Sequence, residues 1–179
     1  MQRRAFSAAV AGAVLGLCRT APAPAADSLE YAVKAAYLVK FIPFIDWPDS
    51  VFASPAQPVT ICVLGDDPFG GRLDAQAGQK SGERSVAVKH LAAFDAAANC
   101  QLLFLGKSPA TNDALAAARD KPIVTVTDSG TPLHGIIGFV IAANHVRFDI
   151  DDAAAEAEGL KISSKLLQLA HAVKRKAAP

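Results

Sequence analysis

VTICVLGDDPFGG (Val59–Gly71) is the stretch on which the fold turns. An apolar run without a charge enters Gly65, and a loop bounded by Gly70 and Gly71 follows. Such a run reads as a strand buried on both faces rather than one that alternates core and solvent. Three more strand-like runs rich in Val, Ile and Leu follow: SVAVKHL (Ser85–Leu91), QLLFLG (Gln101–Gly106) and PIVTVTD (Pro122–Asp128), each followed by a turn signal. Between the last two, SPATNDALAAARDK offers Thr111 or Asn112 as N-cap of an alanine-rich helix. Shorter helices are expected around Leu73–Ala77 and Asp95–Ala98. Strands alternating with helices predict an α/β layered sandwich, with a largely parallel sheet and helices on both faces.

Upstream, Leu29, Val33, Ala36, Tyr37, Phe41 and Phe44 recur at three- and four-residue steps. They mark an amphipathic helix over Ser28–Ile42, with Lys34 and Lys40 off the apolar stripe. Pro43 ends it, and DWPDS forms a turn around Trp47 and Pro48. Downstream, IIGFVIAANHVRFDI reads as a hairpin turning at Ala143-Asn144. Asp151 and Asp152 open a short helix that Gly159 closes. A last helix is expected to carry Ile162, Leu166, Leu169 and Val173 on one face. The whole forms one domain over residues 28–175, without an internal repeat.

The chain opens MQRRAFSAAVAGAVLGLCRTAPAPA. Arg3 and Arg4 precede an uncharged stretch, Phe6–Cys18, that is shorter than the ~20 residues of a spanning helix, and Ala23–Ala25 places small residues at a cleavage site. Residues 1–25 therefore read as a cleaved secretory signal peptide, and the destination as the periplasm. RRAF also resembles a twin-arginine signal and LGLC a lipobox, although Leu17 is large for the residue before a lipidated cysteine. Loss of Arg3, Arg4 and Arg19 with the leader leaves 15 basic against 17 acidic residues, a net of −2. That balance is not the basic footprint of a nucleic-acid binder. Cys62 and Cys100 remain, and in an oxidising compartment a disulfide between them is expected over two separate buried thiols.

Several motifs imitate chemistry. Gly65 and Gly70 have the spacing of a phosphate loop, but Gly71 and Arg72 stand where Lys and Ser/Thr belong. Asp66 and Asp67 would repel phosphate, and Pro68 removes an amide. DSGT at Asp128–Thr131 imitates an aspartic protease, yet the alternating helices and strands are wrong for that all-β fold, so a strand-ending turn is expected. Ser164 and Lys165 are neighbours rather than one helical turn apart, which leaves helix capping by Ser163 or Ser164 as the simpler role. His90, His134, His145 and His171 show no ligand spacing. No catalytic constellation, metal site or cofactor site follows from these residues.

Two blocks carry a resemblance. EYAVKAAYLVKFIPFIDWPDS (Glu30–Ser50) is similar to the opening helix and Trp-Pro turn of the YfiR family. IIGFVIAANHVRFDIDDAAAEAEGLKISSKLLQLA (Ile136–Ala170) is similar to that family's ending, and VTICVLGDDPFG and CQLLFLG fit its middle strands in order. The resemblance implies a periplasmic, non-enzymatic regulator on an α/β sandwich that can form a homodimer. Its best understood type binds the periplasmic sensor domain of a membrane-anchored diguanylate cyclase and holds it inactive, lowering cyclic di-GMP and biofilm formation. The family's first disulfide maps onto Cys62 and Cys100, and a second pair found in some members has no counterpart here. For the surface that meets the partner, Phe44, Trp47 and Phe52 around the proline turn are one candidate. Ile162, Ser163, Ser164 and Lys165 are the other. The competing expectation is a small-molecule binding or sensing domain using the crevice at the strand ends near Gly65–Phe69.

Overall fold

Why the middle strands carry no charge is plain in the computed structural model, which describes residues 24–95, 98–106, 108–130 and 134–176. Strands β2 (Val59–Leu64), β5 (Leu102–Leu105) and β6 (Val124–Thr127) are buried at every position. Ile61, Val63, Leu102, Phe104, Val124 and Val126 join one core. Their alternates Cys62, Leu64, Leu103 and Leu105 join a second core on the other face. The first is covered by helix α1 (Pro24–Phe41) and the second by α2 (Thr111–Ala118). A residue period of two with cover on both sides yields an uninterrupted apolar run.

Around these strands lie β3 (Lys80–Ser81), β4 (Arg84–Leu91), β7 (Ile137–Ala142), β8 (His145–Asp151) and β10 (Ala172–Lys174). The sheet order is β10-β8-β7-β6-β5-β2-β4-β3. Five neighbouring pairs are parallel; β3–β4 and β7–β8 are antiparallel. The architecture is therefore α/β with a mixed sheet, less uniformly parallel than expected. The hairpin β7–β8 turns at Ala143 and Asn144, both at positive φ as a two-residue primed turn requires, with Ala142 opposite His145. Ahead of β7, the chain passes so close to β6 that a Cβ on Gly135 would lie 2.7 Å from the Thr125 carbonyl oxygen. Only glycine fits there.

Four local expectations are corrected. The α-helix ends at Phe41 and passes into a 3₁₀ turn, Ile42–Phe44, because Pro43 has no N–H to continue the ladder. The turn near Leu73 is a 3₁₀ segment, Asp74–Gln76; the segment near Asp95–Ala98 lies partly outside the described residues. Helix α2 takes no side-chain cap from Thr111 or Asn112, since Thr111 Oγ1 donates instead to the Gly106 carbonyl at 2.9 Å. The largest change is at the end of the chain. The single last helix is replaced by β9 (Lys161–Ile162), a short α4 (Ser164–Leu169) and β10. The His171 amide donates to the Phe148 carbonyl at 2.8 Å and starts the parallel pairing of β10 with β8, which outcompetes helix continuation. Helix α3 (Asp152–Ala157) forms as expected. Asp151 caps it by accepting from the Ala154 amide at 3.0 Å, and Gly159 lies beyond it at φ +76°. The expected leader, residues 1–25, falls almost wholly outside the described residues. No described helix is long and apolar enough to cross a membrane.

The sulfurs of Cys62 and Cys100 are bonded, with Cα atoms 5.8 Å apart. The bridge fastens β2 to the residues entering β5 beneath α2.

Candidate functional site

The Trp-Pro turn and the Gly-Leu-Lys-Ile-Ser-Ser block, distant in sequence, form one surface. After Pro43 the chain extends into β1 (Ile45–Asp46), which pairs antiparallel with β9. Ile45 lies opposite Ile162 and Asp46 opposite Lys161, and the Ser163 amide donates to the Phe44 carbonyl at 2.9 Å. Ile45 and Ile162 are buried, so this pairing spends its apolar side chains on the core. Ser163 caps α4, accepting from the Lys165 amide at 3.2 Å, while Ser164 and Lys165 are exposed. Ser163 thus has a capping role and Ser164 and Lys165 lie at the surface.

Trp47 and Phe52 sit half-buried at the rim, packed on the core. The Trp47 indole N–H donates to the Gln101 carbonyl at 3.3 Å, and its ring meets Phe52 edge-on at 6.3 Å. Arg84 covers the other ring with its guanidinium 3.7 Å from the Phe52 centroid, and donates to the carbonyls of Ser54, Pro55 and Gln57. Trp47 thus packs against the core and ties the turn to the residue before β5, and it keeps part of its surface outside. A hollow of about 510 Å³ opens beside it, walled by Trp47, Phe52, Asp46, Asp49, Glu83 and Arg84.

Phe44 links that turn to a second apolar surface which the motifs did not mark. Tyr37, Lys40, Phe44, Arg147, Leu166 and Leu169 surround a hollow of about 290 Å³. Leu169, on the wall of that hollow, is 60% exposed; Leu29, near the start of α1 and outside it, is 68% exposed. Large apolar side chains left outside and grouped with cations mark a contact surface more than scattered ones do. The signal was present in the helical stripe, which is wider than the core needs.

Below α1 lies a polar centre. Lys34, expected off the stripe, is fully buried. Its Nζ reaches Glu30 Oε1, Asp128 Oδ1 at 2.5 Å and Ser129 Oγ at 2.9 Å. Tyr31 donates to the other Asp128 oxygen at 2.8 Å, and the Ser129 amide donates to Oδ1. The Asp-Ser-Gly motif is therefore a turn that anchors α1 rather than a catalytic element. At the strand ends, the loops after β2 and β5 touch: a Cβ on Gly65 would stand 3.4 Å from the Ser108 Cβ. Phe69 is fully buried, its ring 4.8 Å from Phe104.

Compared with known families, residues 31–171 match the family model described as YfiR/HmsC-like. The chain belongs to the YfiR/HmsC-like family. The matched span runs from Tyr31 to His171 and takes in the disulfide, Lys34 with Asp128 and Ser129, and both strands of the β1–β9 pair. No curated protein matches the chain.

Proposed function

We propose that this protein is a periplasmic, non-enzymatic regulator. It binds the periplasmic sensor domain of a membrane-anchored diguanylate cyclase and holds it inactive, lowering cyclic di-GMP and biofilm formation. The family match over residues 31–171 carries this reading. The leader-like N-terminus and the bridged cysteines support an exported, oxidised destination. The mature domain is taken as residues 28–175.

The contact surface is the joined β1–β9 edge with its apolar flank. Phe44, Trp47 and Phe52 present aromatic area, Leu169 adds an exposed aliphatic anchor, and Lys40, Arg147 and Lys165 supply charge around them. Apolar anchors with a polar rim are how a small patch holds a partner. Backbone pairing through Ile45 and Ile162 keeps the two halves of that patch in register. Inhibition then needs no chemistry from this chain: a bound regulator favours whichever sensor conformation it fits best.

The deciding experiment deletes the gene and measures cellular cyclic di-GMP and biofilm mass, with the wild-type gene restored in trans. A rise that complementation reverses is expected. Unchanged cyclic di-GMP across growth conditions, together with no complex between the purified protein and the cyclase's periplasmic domain, would overturn the reading.

A further inference from the structure

Three potential metal ligands converge at the far end of the sheet, away from the β1–β9 edge. Asp67 lies in the loop after β2, Asp74 opens the 3₁₀ turn, and His90 lies near the end of β4. One donor atom from each lies within 4.8 Å of the other two, and all three side chains are exposed. We propose that Asp67, Asp74 and His90 form a binding site for a borderline divalent transition metal of the Zn²⁺ class.

The supports of the three donors are rigid. Asp67 is steadied by the Phe69 amide, which donates to its Oδ1 at 2.8 Å, and Phe69 itself is fully buried. Asp74 follows Leu73, also fully buried. His90 is fixed by the β2–β4 register, opposite Val63. Its Nε2 lies 2.8 Å from Asp74 Oδ1, a direct contact that an ion entering between the two donors would replace. The neighbouring cations are engaged elsewhere. Arg72 donates to the Phe69 carbonyl and to Ser28 Oγ, and Lys89 to the Ala98 carbonyl.

The donor set decides the class of ion. Two carboxylates alone would suit Mg²⁺ or Ca²⁺, which want six or more oxygens. An imidazole nitrogen shifts the preference to Zn²⁺, Ni²⁺ or Cu²⁺. With metal–ligand bonds of about 2.1 Å, tetrahedral donors stand roughly 3.4 Å apart, so small rotamer changes in exposed side chains close the site. Exposure leaves the remaining positions to water. The inference stands apart from the regulator reading, because the site does not involve the cyclase.

Isothermal titration of the tag-free mature protein with ZnCl₂ tests it, with MgCl₂ as comparator and native mass spectrometry to count bound ions. One Zn²⁺ per chain is expected, with Kd on the order of micromolar and at least a roughly tenfold loss in His90→Ala and in Asp67→Asn. His171→Ala removes the other exposed His–Asp pair, with Asp149, and should leave binding unchanged. No saturable binding, or binding that His90→Ala leaves intact, would overturn the site and leave His90–Asp74 as a simple ion pair. Loss in His171→Ala alone would overturn it equally.

Discussion

Lys34 is a charged residue with no exposed surface. It stands on α1 with its amine buried between Glu30 and Asp128, and Asp128 belongs to the turn after β6. Removing one partner of a buried pair leaves the other charge without compensation, so Lys34→Ala should cost about 3 kcal/mol. Urea denaturation of wild type and variant reads this directly, and a loss under about 1 kcal/mol would mean the cluster contributes little. Glu30, four positions back, reads as an ordinary helix-surface partner, while the buried acceptor Asp128 is 94 positions away, and a lysine beside an apolar stripe reads as solvent-facing. Glu158 is the opposite case, a carboxyl with a buried, unpartnered Oε2 among the described residues. Burial and the negative charge of Asp120 push it up to about 7, partly offset by Arg119. The unfolded chain titrates this group near 4.5, so between about 4.5 and 7 the folded state holds the extra proton. Its contribution to stability is full below that window and is lost as pH rises through it. Thermal melts from pH 4.5 to 8 should show a decline that Glu158→Gln flattens, with the variant melting higher at pH 8. A parallel decline in both would assign the effect to other groups.

Among the elements, the β1–β9 pair shows where periodicity stops being informative. Two-residue strands have no pattern of their own, and Ile162 was legible only as apolar. The same holds at the end of the chain, where Ile162, Leu166, Leu169 and Val173 fit a helical stripe yet lie on β9, α4 and β10. Pairing with β8 decided the outcome, and β8 is invisible to a local window. By contrast α1, the hairpin at Ala143-Asn144 and the capped start of α3 were legible because each carries its own local chemistry. For function, α4 is the element to perturb. Lys165 and Leu169 are exposed, so the pair Lys165→Glu and Leu169→Glu should leave the melting temperature near wild type. Under the regulator reading, binding of the cyclase's periplasmic domain should weaken at least roughly tenfold. Surface plasmon resonance with matched melting curves separates the two effects, and unchanged affinity would move the contact surface elsewhere.

For the molecule as a whole, the strands of the middle sheet were readable because both of their faces are covered, while their order and the mixed directions were not. Parallel and antiparallel neighbours leave the same apolar run. The Cys62–Cys100 bridge fixes part of that order by chemistry, closing a loop of 38 residues between β2 and the entry to β5. In the chain-entropy account a loop of that size contributes about 4 kcal/mol. Replacing both cysteines by alanine should lower the melting temperature by roughly 10 °C. Mass spectrometry of the unreduced wild-type protein should find no free thiol at either position. Two alkylated cysteines there would show that the oxidised protein lacks the bridge.

The strand β10 gives the sheet its outermost border next to β8, and it is only three residues long. A chain cut after Leu169 would uncover the backbone of Asp149–Asp151, which β10 now pairs. Bare strand borders recruit strands from other molecules. If the short β10 shields that border, light scattering of the truncated protein should show more association than the full chain, and equal association would remove the role.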